Sequence, residues 1–240
     1  MSGPRLEAAL IPSGGQTLLG GLYLASVPDP APAVALLHGI PGHELNLDLA
    51  QSLRAAGLHV LYFHFRGSWG SGGTYRLDQL LDDALAAVDW LGGQPRVDPT
   101  RLGLVGFSLG GWVALAAASA RPEVRATVAL SPLLNPAARP LTTDEAEQFA
   151  LSLEATTAQE LQAGWDALLP FEQLAPALRG RPILLVTGDR DAFFPLEHYL
   201  SAPQIVPELE WVRFPRANHA FSDVRPGLTH LVRQWLMARL

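Results

Sequence analysis

The chain has 240 residues, 48% apolar and 17% charged, the composition of a globular protein with a sizeable buried core and not of a disordered one. Its formal charge of −6, and arginines that are scattered and unaccompanied by any lysine, set nucleic acid and anionic membrane aside as partners. The absence of cysteine excludes disulfides, thiolate metal sites and a cysteine nucleophile.

Met1–Ser13 carries no apolar core of signal-peptide length, and no segment is long enough to span a membrane, so a cytoplasmic location is expected. After the turn signal Ser13-Gly14-Gly15, residues 16–25 predict a strand, closed by a Pro-rich turn over 27–32. Residues 33–38 form a continuous apolar run, the pattern of a strand buried on both faces, and end in Gly39-Ile40-Pro41-Gly42. Asn46 is placed to cap a helix carrying Leu47, Ala50 and Leu53 on one face, with Gly57 closing it. Residues 58–65 predict the next buried strand, followed by a glycine-dense loop, Arg66 to Gly73. Leu77, Leu80, Leu81, Ala84, Leu85 and Val88 recur at helical spacing until Gly92-Gly93. Strands over 102–107 and 124–130 then flank a helix starting near residue 109.

Residues 132–180 interrupt this rhythm with Pro132, Pro136 and Pro140 followed by helical, alanine-rich pieces, and predict a small helical cap-like insertion after the sixth strand. The alternation resumes with a strand over 183–187, a helix near 196–200, a strand over 209–214, and a final helix with Leu228, Leu231, Val232, Trp235 and Leu236 on one stripe. Strands alternating with helices predict an α/β fold, a mostly parallel doubly wound sheet in one domain over 1–240.

Chemistry concentrates where strands end. Gly106-Phe107-Ser108-Leu109-Gly110 lies between an apolar strand and a helix, the order of a nucleophile elbow, where a tight turn throws a serine hydroxyl outward. A serine needs a base, and His219 stands in the loop between the last strand and the last helix. The base needs a carboxylate, and Gly188-Asp189-Arg190-Asp191 follows the 183–187 strand, leaving either aspartate in place for the role. The order Ser, Asp, His is the one expected of an elbow serine. The remaining histidines show no metal-ligand spacing; His38 reads as a support for the loop after its strand. Arg66 reads as a structural ion-pair partner, Asp98 as a turn residue, Trp112 and Trp165 as packing residues, and Trp69 as a candidate pocket wall. The glycine-dense loop lacks the Lys-Ser/Thr of a phosphate-binding loop. No cofactor or metal is expected.

Taken together, His38-Gly39-Ile40-Pro41-Gly42, the Phe65–Gly73 loop, Gly106–Gly111, Thr187–Asp191 and Asn218-His219 resemble the α/β-hydrolase superfamily. Within it, the chain is similar to the branch of dienelactone-hydrolase-like and prolyl-oligopeptidase-like serine hydrolases. The resemblance runs from about residue 38 to the C-terminal helix. It implies a catalytic set of Ser108, Asp191 and His219, with the later aspartate of the pair as the acid. It also implies an oxyanion hole from the backbone N–H groups of Ile40 and Leu109. The implied activity is hydrolysis of esters or thioesters of small to medium acyl substrates, with a peptidase or amidase as the alternative and a catalytically silent binding protein as a third. The chain is short for a large N-terminal propeller, which speaks against a specialised oligopeptidase. A small-molecule acyl substrate is the expected partner; the oligomeric state is left open, a homodimer included.

Overall fold

The apolar runs of the sequence assemble into one eight-stranded sheet because each has a face to bury on either side. The computed structural model describes residues 5–240. Its strands are β1 (Arg5–Ser13), β2 (Gln16–Leu24), β3 (Ala31–Leu37), β4 (His59–Phe63), β5 (Val97–Phe107), β6 (Val124–Leu130), β7 (Ile183–Gly188) and β8 (Glu210–Phe214). The helices are α1 (Leu47–Ala55), α2 (Leu80–Gly92), α3 (Leu109–Ala120), α4 (Thr143–Ala150), α5 (Ala158–Asp166), α6 (Phe171–Leu178), α7 (Ala202–Ile205) and α8 (Arg225–Met237). The sheet order is β1-β2-β4-β3-β5-β6-β7-β8. The β1–β2 and β2–β4 pairs are antiparallel, and every pair from β4 through β8 is parallel. The mostly parallel doubly wound sheet expected from the strand–helix alternation is therefore present.

Period-2 alternation sends the side chains of each central strand to two different cores. Val34, Leu36, Val105, Val128, Leu184 and Val186 pack with α1 and α8 on one face. Ala33, Ala35, Leu104, Leu185 and their neighbours pack with α2, α3 and the helices of residues 132–180 on the other. Helix α3 is buried over its whole circumference from Leu109 to Ala118, since sheet, α2 and α6 enclose it.

Three local expectations are corrected. Residues 5–13 form a full strand where no strand was expected: Leu6 and Leu10 are exposed while Ala9 and Ile11 are buried, so apolar residues on the solvent face hide the alternation. The strand is joined to β2 by a two-residue turn with Gly14 and Gly15 both at positive φ, the geometry of a primed hairpin. Asn46 does not cap α1. It sits in the left-handed region with no side-chain capping bond, and its Oδ1 accepts from Arg225 instead. The helix expected near 196–200 is only a 3-10 turn, Leu196–Tyr199.

Between β6 and β7 the chain carries α4, α5 and α6. Helices α4 and α5 each begin with a complete capping box, Thr142 with Glu145 and Thr157 with Glu160, which satisfies the free N–H groups of two short helices. The segment is bridged to the glycine-dense loop by a donation from the Glu154 amide to the Gly67 carbonyl at 2.7 Å and an isolated Ser68–Leu153 bridge. Arg66 heads that loop. Its guanidinium donates to Asp83 of α2, to Gln79 at 2.6 Å and to Ser13 at 3.1 Å, while its amide holds the second Asp83 oxygen at 2.9 Å. Asp83 is fully buried, so this is the structural ion pair expected of Arg66. Among the described residues, no helix is long and apolar enough to cross a membrane.

Candidate active site

The C-terminal ends of β3, β5, β7 and β8 converge, and each delivers one component. Loops at that edge of a parallel sheet are where such folds collect ligand-binding groups. At the end of β5 the chain reverses within one residue. Ser108 has φ 55° and ψ −121°, a strained backbone for a residue with a side chain. The reversal requires glycine on both sides of it. A Cβ on Gly106 would stand 2.0 Å from the Gly110 carbonyl oxygen, and one on Gly110 would stand 2.2 Å from that of Leu37. The turn is held by the Ser108 amide donating to Leu130 at 2.9 Å and by the amides of Gly111 and Leu133 donating to the Ser108 carbonyl.

The amide of Leu109 opens α3, so no carbonyl of its own helix is available to it. Opposite, the loop after β3 brings Gly39 against the serine; a Cβ on Gly39 would lie 2.9 Å from Ser108 Cβ. His38 fixes this loop. Its Nε2 accepts from the Phe65 amide at 3.1 Å, which leaves the proton on Nδ1 to donate to the Gly39 carbonyl at 2.6 Å. Burial in this apolar setting lowers its pKa to about 4. Trp69, expected as a wall of the pocket, is instead half exposed. Its indole N–H donates to the Pro41 carbonyl at 2.9 Å and braces the loop from outside.

His219 follows β8, and Asp191 follows β7. His219 Nδ1 donates to Asp191 Oδ2 at 2.7 Å, and Asp191 Oδ1 accepts from the amides of Phe193 at 2.8 Å and Phe194 at 2.9 Å. The Asp191 side chain is fully enclosed, whereas Asp189 lies at the surface in a paired contact with Arg213. With a carboxylate accepting at Nδ1, the neutral imidazole keeps its lone pair on Nε2. The rings of Phe107, Phe193 and Phe194 surround His219 at centroid distances of 5.0, 4.9 and 5.3 Å.

Ser108, His219 and Ile40 line one cavity of about 90 Å³, completed by Phe107, Phe193 and Phe194 and by Arg139, Leu141, Glu145, Phe149 and Trp165 of the segment between β6 and β7. Of these, Arg139, Leu141, Glu145, Phe193 and Phe194 escaped the sequence reading, and Trp165 was expected only to pack. The Thr142–Glu145 capping box could have located Glu145 in the sequence; no sequence signal marks Arg139. Among the described residues, no group of three or more potential ligands could hold a metal.

The model of the prolyl oligopeptidase family matches residues 45–237, about four fifths of the chain. The chain belongs to the prolyl oligopeptidase family. An uncharacterised protein of Mycobacterium tuberculosis (strain ATCC 25618 / H37Rv) is 40% identical over 224 residues, covering 91% of this chain and 74% of that protein. The thiohydrolase apmlB of Arthrinium phaeospermum is 34% identical over 122 residues, covering 49% of this chain and 40% of that one. Among solved structures, the Pyrococcus furiosus esterase Pf2001 superposes with a TM-score of 0.75 at 23% identity, covering 98% of this chain and 91% of that one. The fold of this family member is the α/β-hydrolase fold, and the chain is a hydrolase of that superfamily.

Proposed function

We propose that this family member is a serine hydrolase that cleaves carboxylic esters or thioesters of small acyl groups through an acyl-enzyme. The observation that carries the reading is the 2.7 Å hydrogen bond from His219 to the buried Asp191 at the wall of a cavity that also holds Ser108. Ser108 Oγ attacks the acyl carbonyl while His219 Nε2 takes its proton. Asp191 holds the imidazole in the Nδ1–H tautomer and stabilises the imidazolium. The amides of Ile40 and Leu109 receive the developing alkoxide, the kind of donor whose loss typically costs 10²–10³-fold in rate, about 3–4 kcal/mol. His219 then returns the proton to the departing alcohol or thiol, and water, deprotonated by the same imidazole, releases the acid.

The cavity sets the acyl size. A cleft of about 90 Å³ walled by Phe149, Phe193 and Trp165 favours short, apolar acyl chains. The likeness to a thiohydrolase over half the chain supports the thioester half of the proposal. The family description favours a second reading, a peptidase or amidase using the same three side chains. A panel of p-nitrophenyl and thioester substrates of increasing acyl length, run beside aminoacyl amides, separates the two. Short esters turned over fastest, with Ser108→Ala inert yet folded, is the expected result. Amide turnover exceeding ester turnover would replace it with the second reading. Failure of a fluorophosphonate to label Ser108 in folded protein would leave a silent binding protein.

A further inference from the structure

Asp191 is aimed from behind by two consecutive amides, those of Phe193 and Phe194, and the peptide between those two residues is held by the segment between β6 and β7. The Phe193 amide fixes Asp191 Oδ1 at 2.8 Å, with the Phe194 amide beside it at 2.9 Å, which turns Oδ2 toward His219. On the other side of the same residue, the Phe193 carbonyl accepts from Arg139 Nε at 2.9 Å. Arg139 is not free to wander. Its two Nη groups grip both oxygens of Glu145, one of them also donates to the Pro140 carbonyl at 2.8 Å, and its guanidinium carbon lies 5.9 Å from the centre of the Phe193 ring. Glu145 in turn is locked at the start of α4 by its capping box with Thr142. Rigidity therefore passes from α4 through Glu145 and Arg139 to the backbone of residue 193, and from there to the carboxylate. The Phe193 ring, 4.9 Å from His219, moves with the same backbone.

We propose that Arg139 is a positioning residue for the Asp191–His219 pair, so that the 132–180 segment orients the acid as well as walling the pocket. This rests on the reading of Ser108, His219 and Asp191 given above. Arg139 touches neither reacting atom. A planar guanidinium with Nε and both Nη groups engaged at once suits the task, because it ties two elements in one fixed geometry that an ammonium cannot reproduce.

The test compares Arg139→Met and Arg139→Lys with the unaltered protein in three measurements. These are near-ultraviolet circular dichroism, kcat and KM on a short p-nitrophenyl ester, and the downfield proton resonance of the His219 Nδ1–H···Asp191 bond. Arg139→Met is expected to lower kcat by about 10- to 100-fold, the range for a catalytic group displaced by a fraction of an ångström to about one, with KM within about threefold. The downfield resonance should broaden or vanish. Arg139→Lys, which keeps a positive charge opposite Glu145 and loses the fork, should fall between. A raised KM with unchanged kcat would make Arg139 a pocket wall only, and a resonance unaltered in the Met variant would place its effect elsewhere; either overturns the proposal. Should the Met variant not fold, the Lys variant decides on the same readouts. Absence of ester turnover in the unaltered protein would count against the proposed function, while the resonance comparison would still decide the role of Arg139.

Discussion

Two aspartates two residues apart have different fates here, and the difference is burial. Asp191 lies enclosed with three donors around its carboxylate, whereas Asp189 pairs with Arg213 at the surface. Asp191→Asn is expected to keep the fold but cut kcat on a short ester by about 10⁴-fold, because an amide can present its NH₂ to Nδ1 and favour the wrong tautomer. Asp189→Asn should leave kcat within a factor of about two, as expected of an exposed ion pair. Steady-state kinetics on the two purified variants checks both, and equal losses would contradict the assignment. Gly39 offers a steric test of the same site. Gly39→Ala puts a methyl group 2.9 Å from Ser108 Cβ and 3.1 Å from the Phe107 carbonyl oxygen, neither of which can swing aside, so it should lower turnover and stability together, read by kinetics beside a thermal melt. The serine, the histidine and the aspartate pair were legible in the sequence because turn chemistry and strand ends mark them. Spacing alone does not say which aspartate faces the imidazole, since a separation of two residues places both at the same strand end; only the family resemblance pointed to Asp191.

At the level of elements, the glycine-dense loop owes its place to one buried pair. Arg66 and Asp83 connect it to α2 and to Ser13 at the end of β1. Arg66→Met strands a fully buried carboxylate and should cost about 3–5 kcal/mol by urea denaturation, while the double change Arg66→Met/Asp83→Leu should recover much of that loss. A double variant no more stable than the single one would show that the pair's worth lies in its wider network and not in charge compensation. The sequence suggested the ion-paired role of Arg66 but could not name its partner, 17 residues away across a loop. Strand β1 was missed for a related reason. Its outward-facing Leu6 and Leu10 obey no alternation, and only pairing with β2 makes the segment extended. The capping role expected of Asn46 failed because a tertiary partner, Arg225, engages its side chain first.

For the whole molecule, acid sensitivity follows from histidines that the fold keeps neutral. Burial lowers the pKa of His38 and of His198 from 6.5 to about 4, and His198 in that state accepts from the Leu134 amide at 2.8 Å. Between these values the unfolded chain takes up protons that the folded one refuses, so folding stability declines as pH falls from about 6.5 toward 4. The slope is up to roughly 1.4 kcal/mol per pH unit for each histidine. His59 and His64 are shifted the same way by burial. Urea midpoints recorded at pH 7.5, 5.5 and 4.5 should drop progressively, and a flat profile would refute the linkage. The sequence by itself determined the alternation of strands and helices, the elbow at Ser108 and the order of the three polar residues, because hydrophobic period and glycine placement are local properties of the chain. Only the tertiary structure decided that Asp189 is drawn to Arg213 at the surface, that Trp69 braces a loop while Trp165 lines the cavity, and that Arg139 reaches the acid loop. Those outcomes depend on which surfaces lose their water when distant segments pack, and no local pattern encodes that.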